Sequence, residues 1–350
     1  MLHAVWHCQS FHACVFGMVL AGALATSPVI ADEDPPHWVT RWGEEGTSPG
    51  QFGRPRGMTL DGTNRLLICD TDNNRIQVFD TSGNLLDIWG ETGSEAGQFL
   101  GPIGIDVAPN DEVYVVDTGN NRVQRFQPDG TWLGEWDGTG LGEGGSGDPE
   151  PETWSPFALT VDRHHNVYVT DTAMWGSDKI HKFDSAGVFE RSWNLEERST
   201  ALDLPLGIAS SPDDYIYVSR TGGNVYQFRL DGSLVRTCGG FSTTPIPGTF
   251  KTPLGVDVDS LGNVFVVDHH NRRMQKFNGA GEFLSMWGTR GDQPDQFGDP
   301  HDITVGAGNN IFIVDLERHG YIKQWTYDTT SVEATSMSRF KSLLRGDPGR

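Results

Sequence analysis

The chain has 350 residues, with 26 Lys and Arg against 47 Asp and Glu, for a net charge of −21. The acids are spread through turn and loop stretches rather than gathered in one block. Such a surface repels phosphate backbones, so nucleic acid is excluded as a natural partner, and cations or basic ligands suit it better. A chain of this length suggests two domains, but an internal repeat overrides that prior.

In chain order, residues 1–31 read as a secretory signal peptide. Ala13–Ala25 is an apolar run of 13 residues, too short to span a bilayer. Val29 and Ala31 are the small residues that a signal peptidase reads, which places cleavage after Ala31. His3, His7 and His12 precede the run without any Lys or Arg. A retained membrane anchor or a misplaced start therefore stays open as the alternative. The expected mature chain is secreted or periplasmic, with no stable membrane insertion. It keeps only Cys69 and Cys238, which fall too far apart in the repeat to pair and read as small buried hydrophobes.

The clearest unit runs from Pro102 to Trp136. Ile103–Val107 alternates apolar and polar residues, and a Pro109-Asn110-Asp111 turn follows. Val113–Val116 is β-branched and aromatic, Asp117–Asn121 is loop chemistry, and Val123–Phe126 alternates again. Pro128-Asp129-Gly130 turns the chain into Trp132–Trp136. Four short strands alone leave both faces exposed, so the unit must stack on copies of itself. The copies are marked by Pro55, Pro102, Pro156, Pro205, Pro253 and Pro300 at intervals of 47 to 54 residues. Asp70, Asp117, Asp171, Ser219, Asp268 and Asp315 recur in step, as do Phe79, Phe126, Phe183, Phe228, Phe277 and Trp325. This period predicts an all-β, six-bladed β-propeller over residues 32–330. The sixth unit lacks its last strand, and Trp38–Gly43 matches the missing piece. The N-terminal strand is expected to close the ring and cover its open edge. Residues 331–350 carry no propeller pattern and read as a disordered tail.

Asp70-Thr71-Asp72-Asn73-Asn74-Arg75-Ile76-Gln77-Val78-Phe79 recurs from Asp117 to Phe126 and more loosely from Asp268 to Phe277. With the Pro-x-Gly starts and Trp-Gly ends, this resembles the NHL repeat over roughly residues 38–328. The resemblance implies the fold. It leaves function open, because one propeller scaffold hosts many activities.

The links between units, such as Trp42–Pro55 and Trp89–Pro102, share a face with the loops joining second to third strands. Phe52, Phe99, Phe250 and Phe297 within them are expected to plug the gaps between blades. Two elements on that face break the repeat. Asp137–Trp154 lengthens one link, and Asp171–Lys179 carries Met174 and Trp175 in place of small polar residues. They form either a lid beside the central opening or two insertions without a role. An exposed Trp175 would call for a partner.

Five units begin with a small residue two places after the proline; the sixth begins Pro300-His301-Asp302. An imidazole at the link-face mouth of the channel is a possible metal ligand or a hydrogen-bonded channel residue. The start is similar to that of the peptidyl-hydroxyglycine amidating lyase. The resemblance implies zinc at His301 and a structural calcium at Asp302, with Arg220 near a substrate. The lyase's two other zinc histidines fall here at Ile103 and Leu206, which are not ligands. His269 and His270 lie on the same face beside the sixth unit, and one of them could join His301; Arg318 and His319 are ambiguous. The repeated aspartates are expected to bond backbone N–H groups of the loop that follows each, with Arg75, Arg122 and Arg273 pairing to them or to neighbouring blades. The leading expectation is a cofactor-free binding module for a protein, peptide or glycan, with His269, Trp175, Arg220, His301 and Asp302 on its binding face. The alternative is a zinc- or calcium-dependent lyase or hydrolase with a degenerate site.

Overall fold

A computed structural model describes residues 33–139, 141, 154–172, 179–195, 204–316 and 320–327. The expected signal peptide, Met174 and Trp175, most of the lengthened 137–154 link, Arg318 and His319, and residues 328–350 therefore lie outside the described residues.

The described chain forms six four-stranded antiparallel sheets. Blade one holds β2 (Met58–Leu60), β3 (Leu66–Asp70), β4 (Arg75–Phe79) and β5 (Leu85–Trp89). Blade two holds β6 (Pro102–Val107), β7 (Val113–Asp117), β8 (Arg122–Phe126) and β9 (Trp132–Asp137). Blade three is β10 (Pro156–Val161), β11 (Val167–Asp171), β12 (Lys179–Phe183) and β13 (Phe189–Asn194). Blade four is β14 (Pro205–Ser210), β15 (Tyr215–Arg220), β16 (Asn224–Arg229) and β17 (Leu234–Gly239). Blade five is β18 (Pro253–Val258), β19 (Val264–Asp268), β20 (Arg273–Phe277) and β21 (Phe283–Trp287). Blade six is β22 (Pro300–Val305), β23 (Asn310–Asp315), β24 (Tyr321–Thr326) and the N-terminal strand β1 (His37–Trp42). β1 pairs antiparallel with β24, Trp38 opposite Trp325 and Trp42 opposite Ile322, so the first strand closes the ring. Glu33 ahead of it reaches Lys276 of blade five at 2.7 Å.

Second strands such as β7 and β19 are buried along their whole length, because neighbouring blades cover both faces. That explains their unbroken apolar run. The core divides into six clusters, one at each blade interface. The link phenylalanines plug these interfaces: Phe52 packs with Phe79 of blade one and Phe312 of blade six, and Phe99, Phe250 and Phe297 are likewise fully buried. Trp42, Trp89, Trp136 and Trp193 of the fourth strands each sit on the third-turn glycine of the next blade. A Cβ on Gly83 would lie 2.8 Å from the Trp42 ring, and one on Gly130 would lie 2.5 Å from Trp89. Both glycines also have φ above +80°, so the position demands glycine twice over. In blade four the tryptophan is replaced by Cys238, whose Sγ meets Gly281.

The repeated aspartates are structural, but their donors differ from the expectation. Asp70, Asp117, Asp268 and Asp315 accept N–H groups of the link before the blade, from Gly53 (2.6 Å), Leu100 (2.7 Å), Lys251 (2.8 Å) and Asp299 (2.6 Å). The loops after Asp70, Asp117 and Asp268 are short 3-10 turns with no side-chain cap, for example Thr71–Asn73. The link runs beside the strand end, closer to the carboxylate than the amides of the turn. The turn-bonding geometry is instead found at the blade turns, where Asp80 accepts from Ser82 and Asn84. Arg75, Arg122 and Arg273 do pair with the aspartates, at 2.7, 2.8 and 2.8 Å. Their remaining N–H groups staple the link: Arg273 donates to the carbonyls of Pro245, Ile246 and Thr249.

Candidate functional site at the mouth of the central channel

The first strands line the axis, and the residue after each blade proline forms the rim of the channel on the link-bearing face. The rim is Arg56, Ile103, Phe157, Leu206, Leu254 and His301, each half-buried. Four consecutive blades thus present an apolar crescent, and blades six and one present polar groups. The cavity beneath has a volume of about 460 Å³, which is within the range of small-ligand or side-chain pockets.

Three carboxylates face this cavity. Asp106 accepts from Thr59 and Thr160 hydroxyls and from Val161 N–H. Asp257 accepts from Val305 N–H at 2.7 Å, and Asp302 from Met58 N–H at 3.0 Å. Each therefore ties neighbouring blades together. Asp302 stands where the other blades have glycine or alanine. It lies against Gly255, where a Cβ would come within 2.5 Å of its carboxylate, and it reaches across the closing interface to blade one. Burial pushes Asp257 and Asp302 up to about 7, and each of them is raised further by the charge of Asp106. Burial also raises Asp106.

Beside the rim, blades five and six bring His269 and His301 together, with ring centroids 5.1 Å apart. His269 follows Asp268 and occupies the place of Thr71 and Thr118. Those threonines donate to the proline carbonyl of the next blade, Pro102 and Pro156. His269 Nδ1 makes the same bond to the Pro300 carbonyl at 2.9 Å. The bond assigns the proton to Nδ1 and leaves the Nε2 lone pair on the side of Asp299. Asp299 sits between the rings, 3.6 Å from His269 Nε2 and 3.5 Å from His301 Nε2. Arg272 bonds its Oδ1 at 2.6 Å. The His301 side chain, aided by His269 and Arg272, holds the Asp299 carboxyl well below the usual range. Burial pushes His269 down to about 4.

Of the residues singled out by sequence, His269 and His301 thus meet. Asp302 belongs with Asp106 and Asp257 in the channel, not with the imidazoles. Arg220 is buried in blade four, where it donates to the Tyr226 hydroxyl at 3.0 Å. Trp175 lies outside the described residues. Asp299, Asp106 and Asp257 were missed. Asp299 could have been found as the only acid directly before a blade proline, and the other two by following the inward phase of the first strands. The zinc set implied by the amidating lyase does not fit, since Ile103 and Leu206 supply no donor at the rim.

Residues 52–79, 99–126 and 250–277 match the NHL repeat. The propeller therefore contains NHL repeats. The three matches fall on the blades whose Asp–Arg–Gln set is intact: Asp70, Arg75 and Gln77; Asp117, Arg122 and Gln124; Asp268, Arg273 and Gln275. In the other three blades the set has drifted, to Asp171 with His181, Arg220 with Tyr226, and Asp315 with Lys323; Arg220, not Ser219, lies opposite the blade proline as the aspartates do. The chain is 34% identical over 185 residues to human NHL repeat-containing protein 3, covering 48% of this chain and 51% of that protein. It therefore spans about half the length of the curated relatives it matches. Solved structures share the fold at low identity. Virginiamycin B lyase from Staphylococcus aureus aligns with a TM-score of 0.54 at 13% identity, covering 83% of this chain and 95% of that one. A gluconolactonase from Xanthomonas campestris aligns at 0.55 and 17%, covering 83% and 96%. The NHL propeller is a common protein-interaction module.

Proposed function

We propose that the protein is an exported binding module whose link-bearing face takes a protein or peptide segment with a basic side chain set among apolar ones. The observation that carries this reading is the layering of the mouth. Ile103, Phe157, Leu206 and Leu254 offer an apolar rim, and Asp106, Asp257 and Asp302 wait beneath it in a cavity of about 460 Å³. Apolar contacts at the rim supply affinity. A cation entering the channel relieves the crowding of carboxylates that burial and mutual charge have pushed toward neutrality. The net charge of −21 steers basic partners to the surface. Export rests on the apolar run and small residues of 1–31, and N-terminal sequencing of the mature chain should begin at Asp32.

Selection from a random peptide library displayed against the immobilised full chain tests the reading. The enriched peptides should carry Lys or Arg flanked by aliphatic or aromatic residues. Leu206→Asp and Asp257→Asn should each weaken them by at least ~10-fold, the loss of one central contact at an interface. Leu261→Asp, on an exposed turn of the opposite face, should leave binding unchanged. Enriched peptides that bind Leu206→Asp and Asp257→Asn as well as the parent would overturn it.

A further inference from the structure

We propose that His269, Asp299 and His301 form a site for a borderline transition-metal ion of the zinc class, on the rim between blades five and six. The inference is independent of the peptide reading. The three side chains each offer one donor atom, and these atoms lie within 4.8 Å of one another. A tetrahedral zinc with bonds of about 2.0–2.1 Å separates its donors by about 3.3–3.4 Å. His301 Nε2 lies 3.5 Å from Asp299 Oδ2, already close to that separation, and His269 Nε2 lies 3.6 Å from the other oxygen of the same carboxylate, Oδ1.

The supporting shell is also in place. His269 Nδ1 is tied to the Pro300 carbonyl, so its ring is oriented and Nε2 is the donor that points into the cluster. Asp299 keeps Oδ1 on Arg272, and Oδ2 faces His301. The carboxylate can thus bind through Oδ2 while Arg272 holds the other oxygen. Two imidazoles and one carboxylate suit zinc, cobalt or nickel and suit calcium poorly, because calcium takes oxygen ligands in larger number. Three protein ligands leave one position open, and both histidines line the central cavity, so that position lies on the cavity side. This set draws on adjacent blades and needs nothing from residues 103 or 206.

The test is zinc titration of the untagged full chain after chelator treatment, followed by calorimetry, with the visible spectrum of the cobalt-loaded protein as a second readout. One zinc per chain should bind, calcium should not compete, and cobalt should give the intense bands of a four-coordinate site. His301→Ala and Asp299→Asn should each weaken zinc by more than ~100-fold, beyond the range that loss of an outer-shell partner costs. Asp299→Asn keeps the shape of the side chain and its bond to Arg272, and so guards against a folding defect. Zinc that fails to bind overturns the site. So does zinc that binds His301→Ala and Asp299→Asn as tightly as the parent, since it would then be held elsewhere, for instance by the histidines and cysteines of residues 1–14.

Discussion

Asp257 shows how a single buried carboxylate sets a pH dependence. Its folded-state pKa of about 7 stands above the ordinary carboxyl value, chiefly through burial and then through Asp106 and Asp302. As pH rises from about 4 to about 7 the unfolded chain ionises first, so this group's contribution to stability is present at low pH and lost through that window. His269 works in the opposite direction. Its pKa is held near 4, below the ordinary 6.5, so its contribution is lost as pH falls through the same range. Comparing the parent with Asp257→Asn separates the two. The variant should gain melting temperature relative to the parent between pH 5 and pH 8, and its amide can still accept the Val305 N–H. Identical pH profiles for the two proteins would show that Asp257 is an ordinary carboxylate. The residue scale is also where sequence reading was weakest. His301 stood out because it broke a repeat. Asp257 and Asp106 did not, because an aspartate in an alternating strand reads as an outward polar residue until the direction of the channel is known.

At the scale of the element, the unit that holds a blade in place is the strand-end aspartate with its arginine and the link carbonyls. Asp268 and Arg273 are both buried, and the guanidinium is bonded to Asp268 and to three link carbonyls. Arg273→Met strands a buried carboxylate, and it should cost about 3–5 kcal/mol, the range for removing one partner of a buried pair. Chemical denaturation measures this; the exposed Arg229→Met should change stability by less than ~0.5 kcal/mol. A loss no larger at Arg273 than at Arg229 would mean that the network is incidental. The strands themselves were legible. Val113–Val116 and Trp132–Trp136 emerged within one residue of their predicted bounds, because β-branched runs between Pro, Gly, Asn and Asp turns leave little choice. The partner of the repeated aspartates was not legible. It depends on the link lying beside the strand end, which is a tertiary fact.

For the whole molecule, closure is the central structural device. β1 supplies the outer strand of blade six, and Asp302 ties blade six to blade one beside the axis. Deleting residues 32–43 should expose the edge of β24 and give aggregation or a large fall in melting temperature. A truncated chain that stays monomeric and melts with the parent would show that five and three-quarter blades suffice. The six-fold count and the closing strand were visible in the sequence because the repeat is long and regular. The site was only half visible, since it is assembled by six blades that each contribute one or two residues to the axis. On the proposed function, this axis, opened on the link-bearing face, is where a partner is taken. The most direct measurement is a crystal structure of the full chain with an enriched peptide. A basic side chain should pass the rim at Leu206 and Leu254, with its nitrogen about 3 Å from Asp257 or Asp302. A peptide bound on the opposite face or along the outer strands, with no side chain in the channel, would contradict it.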